Sequence, residues 1–145
     1  MAISLLPAQS LAQAFIETIW NQRELSRLDQ FLHPDFVDYS LPPALAPDRA
    51  GLAAWVQATS ASFEHHTTIE AQVSEGDQTM LKIQMQLRHI GPWRGIEPTG
   101  ADVTAVGYRY LQVRDGQIIG HWALIDGNAI ENQLLESSRG CRIQA

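Results

Sequence analysis

TTIEAQVSEGDQTMLKIQMQLRHI, residues 67–90, decides the fold class. Its polarity alternates with a period of two, the pattern of a strand with one face on a core. Ile69, Ala71 and Val73 fall on one side, and Glu70, Gln72 and Ser74 on the other. "EGDQ" is a hairpin turn signal. Beyond it Leu81, Ile83, Met85 and Leu87 share a face, opposed by Lys82, Gln84, Gln86 and Arg88. The stretch therefore predicts two antiparallel strands over a common core. By the same parity His89 joins the apolar side. An imidazole there is either a core histidine or an acid–base group in a pocket.

Downstream, "GPWRGIEPTG" (91–100) reads as a loop and "DVTAVGYRYLQV" (102–113) as a third strand. "RDGQ" is a second tight turn, and "IIGHWALID" (118–126) is the last strand. These two strands are apolar on both faces. Helices are expected to cover one side and a second subunit the other.

Upstream the period changes to that of a helix. Leu11, Phe15, Thr18 and Ile19 recur at helical spacing from Ala8 to Asn21, after Pro7. A shorter helix follows with Leu25, Leu28, Phe31 and Leu32, stopped by "HPD". "DFVDYS" is a short extended piece and "LPPALAPD" a loop. Asp48 is placed to cap a third helix carrying Leu52, Trp55, Val56, Thr59 and Phe63, with His65 and His66 at its end. The order implies one α+β domain over 1–145, with a flexible tail from about residue 136. Three N-terminal helices pack on one face of a curved antiparallel sheet. Such a sheet leaves a cone whose mouth suits a small-molecule pocket.

Composition narrows the function. Forty-five per cent of the 145 residues are apolar, enough for a core. The net charge is −6 and no basic cluster occurs, which disfavours nucleic acid as a partner. No apolar run approaches the roughly 20 residues of a membrane span. The N-terminal stretch is a poor signal peptide, so a cytoplasmic location is expected. The single cysteine, Cys141, allows no intrachain disulfide. The five histidines show no metal-ligand spacing. Nucleophile-elbow, phosphate-loop and dinucleotide fingerprints are missing.

In "HWALIDGNAIENQL" (121–134), Trp122, Leu124 and Asp126 share a strand face, and His121 points the other way. A carboxylate beside tryptophan and leucine is either a helix cap, since a helical tail could begin at "DGNAIENQL", or a pocket acid with a raised pKa. Trp93, in a loop, is suited to be a lid. Tyr39, Tyr108 and Tyr110 could orient a ligand through their hydroxyls, the last two from one face.

Taken together, "FIETIWNQRELSRLDQFLHPDFVDYS", "GLAAWVQATSASF" and "LRHIGPWRGIEPTGADVTAVGYRYLQVRDGQIIGHWALIDGNAIENQLL" resemble the SnoaL-like polyketide cyclases of the NTF2-like superfamily. The shared pattern runs from "RHIG" through "PTG", a strand and "DG" to a tryptophan and an aspartate with three residues between them, then "QL". The resemblance covers about Leu11 to Leu135. It implies an NTF2-like α+β cone with a deep apolar pocket, usually in a homodimer, with no metal or organic cofactor. It implies intramolecular aldol closure of an apolar or aromatic polyketide-like substrate. Asp126 matches the family's acid–base aspartate, and His89 is a plausible pocket histidine. Trp20, Phe63, Trp93 and Trp122 would hold a flat substrate. The ending "NQLL" lacks the glycine that often follows "QL". A non-catalytic binding or scaffold protein, a cofactor-independent hydroxylase and an epoxide hydrolase are the alternatives on the same fold.

Overall fold

The computed structural model describes residues 7–143, with side-chain environments through residue 137. The first helix, α1 (Ala8–Phe15), continues into a π-helical turn over Ile16–Asn21. A 3₁₀ turn (Leu25–Arg27) and a single α-helical turn, α2 (Leu28–Phe31), precede strand β1 (Leu32–Asp38). Helix α3 (Arg49–Ser62) leads to β2 (Phe63–Glu75), β3 (Gln78–His89), β4 (Asp102–Arg114) and β5 (Gln117–Ile125). The last element, α4 (Gly127–Ile143), occupies the stretch expected as a tail. The Cys141 side chain lies outside the described residues. The five strands form one sheet in the order β1-β5-β4-β3-β2.

The α+β arrangement predicted from sequence is present, with N-terminal helices on one face of a mostly antiparallel sheet. Asp48 caps α3, its carboxylate accepting from the Gly51 N–H at 3.0 Å. Along β3 and β4 the period-2 burial is regular, with Leu81, Ile83 and Leu111 fully buried. They meet Phe15, Ile19 and Leu52 from the helices. Among the described residues no helix is long and apolar enough to cross a membrane.

Three details depart from the sequence reading. The 35–40 extended piece is the end of a full strand, and β1 pairs with β5 in parallel rather than extending an antiparallel meander. His65 and His66 lie in β2, because α3 stops at Ser62. A β-bulge between Ile69 and Ala71 reverses the parity of β2, so Val73 is 74% exposed instead of joining Ile69 inside. The face of β4 and β5 turned away from the helices, which the sequence reading assigned to a second subunit, is exposed in the single chain at Val106, Tyr108 and Leu124.

The end of α3 is stitched to the end of β3. The Ile90 and Gly91 amides both donate to the Ser62 carbonyl. At Gly91 the backbones approach so closely that a Cβ would overlap the Ala61 carbonyl oxygen. Backbone on both sides leaves nothing flexible to yield. We expect Gly91→Ala to destabilise the protein by at least about 2 kcal/mol in urea unfolding, with an unchanged m value.

Candidate active site

Two linked cavities lie between the helices and the inner face of the sheet. The apolar chamber, about 370 Å³, is walled by Trp20, Trp55, Phe63, Leu87, Trp93 and Ile130. A smaller polar one, about 230 Å³, is lined by Asp38, Ser40, Arg109 and His121. Trp20, Trp55, Arg109 and Ile125 border both.

The polar end is built by strand register. Parallel pairing sets Asp38 opposite His121, and the Tyr39 amide donates to the His121 carbonyl. His121 Nδ1 then lies 2.8 Å from Asp38 Oδ2. The other carboxylate oxygen, Oδ1, accepts from the Ser40 amide at 2.9 Å and the Ser40 hydroxyl at 2.7 Å. On the far side of the ring, Arg109 Nη1 is 3.3 Å from His121 Nε2. A guanidinium can only donate, so Nε2 is the acceptor and Nδ1 carries the proton. The sequence of charges is therefore carboxylate, neutral imidazole, guanidinium. All three residues are at most 3% exposed.

Their electrostatics follow from this order. Burial holds the His121 pKa below its ordinary value; Arg109 pushes the same way, while Asp38 opposes both. Burial would raise the Asp38 pKa, but hydrogen bonds from His121 and Ser40 outweigh it and bring the carboxyl below its usual range. Burial lowers the Arg109 pKa to about 10, with Asp38 opposing. The guanidinium carbon sits 4.4 Å from the centre of the Trp20 ring, a cation–π contact away from water.

Trp20 owes its place to the π-helical turn. The Gln22 amide bonds to the Glu17 carbonyl at 2.9 Å, one residue further back than in an α-helix. Asn21 fastens that turn to β2, donating to the Thr67 carbonyl at 3.0 Å and accepting from its amide at 2.7 Å. Trp93 is held by a small bridge to Ile96 and meets Phe63 edge-on at 5.5 Å. Arg94 lies over Trp93 and reaches Asn128 at the start of α4. This closes the chamber from the loop side.

The residues expected from sequence divide between two faces. Trp20, Phe63 and Trp93 line the apolar chamber. Tyr39, Tyr108, Tyr110 and Trp122 do not. They lie on the outer face of the sheet, where Tyr39 stacks on Trp122 at 4.4 Å and Tyr110 lies 5.2 Å from it. His89 faces inward as parity requires and is fully buried behind Phe63. Its Nδ1 accepts from the Thr99 amide at 3.1 Å, which anchors the "PTG" loop. It does not border the chamber.

The expected surroundings of Asp126 are corrected. Its strand face is the outer one, and Leu124 beside it is 76% exposed. Asp126 is itself exposed and caps α4, its Oδ1 accepting from the Ala129 amide at 3.0 Å. The apolar wall expected beside it is absent. Three residues that sequence reasoning did not select, Asp38, Arg109 and His121, converge instead. A parity signal existed for Arg109, an arginine in register with Val103, Ala105 and Leu111.

Helices wrapped by a curved sheet, with a chamber between them, define an NTF2-like fold. The chain belongs to the SnoaL-like polyketide cyclase family, whose model matches residues 10–134. IdmH from Streptomyces antibioticus is 25% identical, with 88% of this chain and 97% of that one covered and a TM-score of 0.79. TsrD from Streptomyces laurentii is also 25% identical, covering 87% and 92%, with a TM-score of 0.76. A structure from Acidithiobacillus ferrooxidans shares 21% identity over 94% of this chain and 99% of that one, with a TM-score of 0.80. No curated protein matches the chain.

Buried neutral imidazoles make stability pH-dependent. Burial, with the nearby arginines and His66, lowers the His65 pKa from 6.5 to about 4. His121 shifts in the same direction. Below pH 6.5 the unfolded chain takes up protons that the folded chain refuses. The melting temperature should therefore be flat above neutrality and fall as pH drops from 6.5 toward 4. His65→Gln, which can keep the Nε2 bond to Ser60, should flatten part of that slope. Calorimetry across the range checks this.

Proposed function

We propose that the chain is an acid–base enzyme that closes a ring in a polyketide-like small molecule, with His121 as the base and Asp38 as its orienting partner. The observation that carries this reading is the buried Asp38–His121 pair, of fixed tautomer, at the polar end of an apolar chamber. IdmH, a candidate polyketide cyclase by name, supplies the reaction class at 25% identity.

The chemistry needs a base for a C–H beside a carbonyl and a donor for the oxygen that becomes negative. The His121–Arg109 bond is long, and a substrate oxygen can draw the Arg109 N–H away from it. That exposes the Nε2 lone pair. The C–H proton passes to Nε2 while its electron pair forms the enolate. The enolate carbon attacks a second carbonyl of the same molecule, forming the new C–C bond. The imidazolium, stabilised by Asp38, returns its proton to the resulting alkoxide. No atom is gained or lost. A depressed His121 pKa keeps the base free at neutral pH. Arg109 meets an imidazole, with no carboxylate within ion-pair distance among the described residues, and this favours proton abstraction over epoxide opening.

Deuterium exchange at the central carbon of benzoylacetone, followed by NMR, tests the proton step without the native substrate. We expect catalysed exchange, a loss of about 10²-fold or more in His121→Asn, and near-normal exchange in Asp126→Asn. His89→Ala is expected to lose melting temperature more than rate. Full activity in His121→Asn with loss in Asp126→Asn would return the base to Asp126. No exchange by the wild type would favour a binding protein on the same cone.

We also propose that the outer sheet face meets a second copy of the chain. Val106, Tyr108, Trp122 and Leu124 form an apolar strip larger than scattered surface residues explain. Leu124→Arg should shift the species seen by light scattering from dimer to monomer. A monomeric wild type would remove the proposal.

A further inference from the structure

Arg109 is more deeply buried than its hydrogen bonds account for. The residue is 3% exposed, yet only Nη1 has a protein acceptor, His121 Nε2. Its Nε–H is buried with no partner among the described residues. Among the described residues no carboxylate lies within ion-pair distance of the guanidinium. Asp38, the nearest formal negative charge in the cluster, stands on the other side of the imidazole. Both of its oxygens are taken, Oδ2 by His121 and Oδ1 by Ser40. The stack on Trp20 lessens the cost of burial but provides no acceptor.

A second orphan points the same way. Trp20 Nε1–H is also buried and has no acceptor among the described residues. Trp20 and Arg109 both border the apolar chamber and the polar cavity. The junction thus carries a guanidinium charge with no carboxylate to match it among the described residues. Buried unpaired donors are costly and native proteins contain few of them. An apolar body in the chamber, ending in an anion at this junction, would match that charge.

We infer that Arg109 is the receptor for a planar two-oxygen anion at one end of an apolar ligand, either a carboxylate or the enolate of a 1,3-dicarbonyl. The two are alike in charge and in the spacing of their oxygens, which a guanidinium fork matches. This rests on the chamber being the small-molecule site proposed above, but not on His121 being a base. It adds a substrate class: acids, or 1,3-dicarbonyls that ionise on binding, in preference to neutral esters and simple ketones of the same shape.

Three probes separate the sources: 2-naphthoate, methyl 2-naphthoate and benzoylacetone. Binding is read by quenching of tryptophan fluorescence and by the rise in melting temperature. We expect 2-naphthoate to bind at least about 10-fold more tightly than its methyl ester. Arg109→Met should bring the acid down to the level of the ester and leave the ester unchanged. Arg109→Lys, which keeps the charge but not the fork, should fall between. Preference for naphthoate alone identifies a carboxylate site. An enolate absorption band of bound benzoylacetone, lost in Arg109→Met, identifies the enolate.

Equal binding of acid and ester overturns the inference. So does failure of both the acid and the benzoylacetone enolate to bind, or an anion preference that survives in a folded Arg109→Met. His121→Asn separates the two proposals. It should still bind naphthoate more tightly than the methyl ester, though less tightly than the wild type does, because the guanidinium remains while its partner at position 121 changes. Lost proton exchange with retained acid binding supports both readings. Normal exchange in His121→Asn with retained acid binding defeats only the base assignment.

Discussion

The pairing of Asp38 with His121 is the constraint on which the rest of the site depends. Neither residue could be buried alone, since an isolated charge or unpaired imidazole in a core is strongly unfavourable. Their meeting requires β1 to lie parallel to β5 in one register, with Asp38 opposite His121. That register fixes the proton on Nδ1, and the fixed proton leaves Nε2 as the acceptor for Arg109. Arg109 then has its place against Trp20, and Trp20 has its place through the π-helical turn tied to β2 by Asn21. The chain of dependence crosses the molecule from one sheet edge to the other. Displacing any member would expose a buried polar atom rather than a surface contact.

The sheet also sets the buried polar cluster and the exposed aromatic strip on opposite faces. On β4 and β5 alternate residues point to opposite faces. Arg109, Leu111 and His121 look inward, while Tyr108, Tyr110 and Trp122 look outward. The inner face combines a polar end with an apolar chamber, so electrostatic interactions there act far from bulk water. Such a setting makes one arginine or one imidazole consequential. The outer face has area and aromatic groups but no buried charge.

The sequence made the alternation of β3 legible because nothing interrupts it along the strand. It also revealed the cap at Asp48 and the inward direction of His89. The site was harder to read, for three physical reasons. Asp38 sits in a short strand whose burial comes from a parallel partner about 80 residues away, and local pattern carries no trace of such a partner. The β2 bulge changes parity through a hydrogen-bond irregularity rather than through a distinctive residue. Parity did separate His121 from Trp122 and Asp126, but it cannot say which face turns inward. Treating tryptophan and leucine as the buried side led to the wrong face. Arg109 breaks an inner stripe, and a charged residue at a core position was the one available signal for the polar end.

Asp126 still bears on the chamber, through α4 rather than through its own carboxyl chemistry. Its cap fixes where α4 begins, and the first residues of that helix close the cavity: Gly127 and Ile130 line it. Arg94, which covers Trp93, bonds to Asn128 on the same turn. A Cβ on Gly127 would meet the Arg94 guanidinium, the movable end of a flexible side chain, so the helix start and the arginine lie in direct contact. An aspartate at this position is therefore compatible with two kinds of requirement, catalytic or positional. Its exposed carboxylate and its bond to the Ala129 amide favour the positional one here. A substitution at Asp126 should then act on how the chamber closes, leaving the proton chemistry at His121 unchanged.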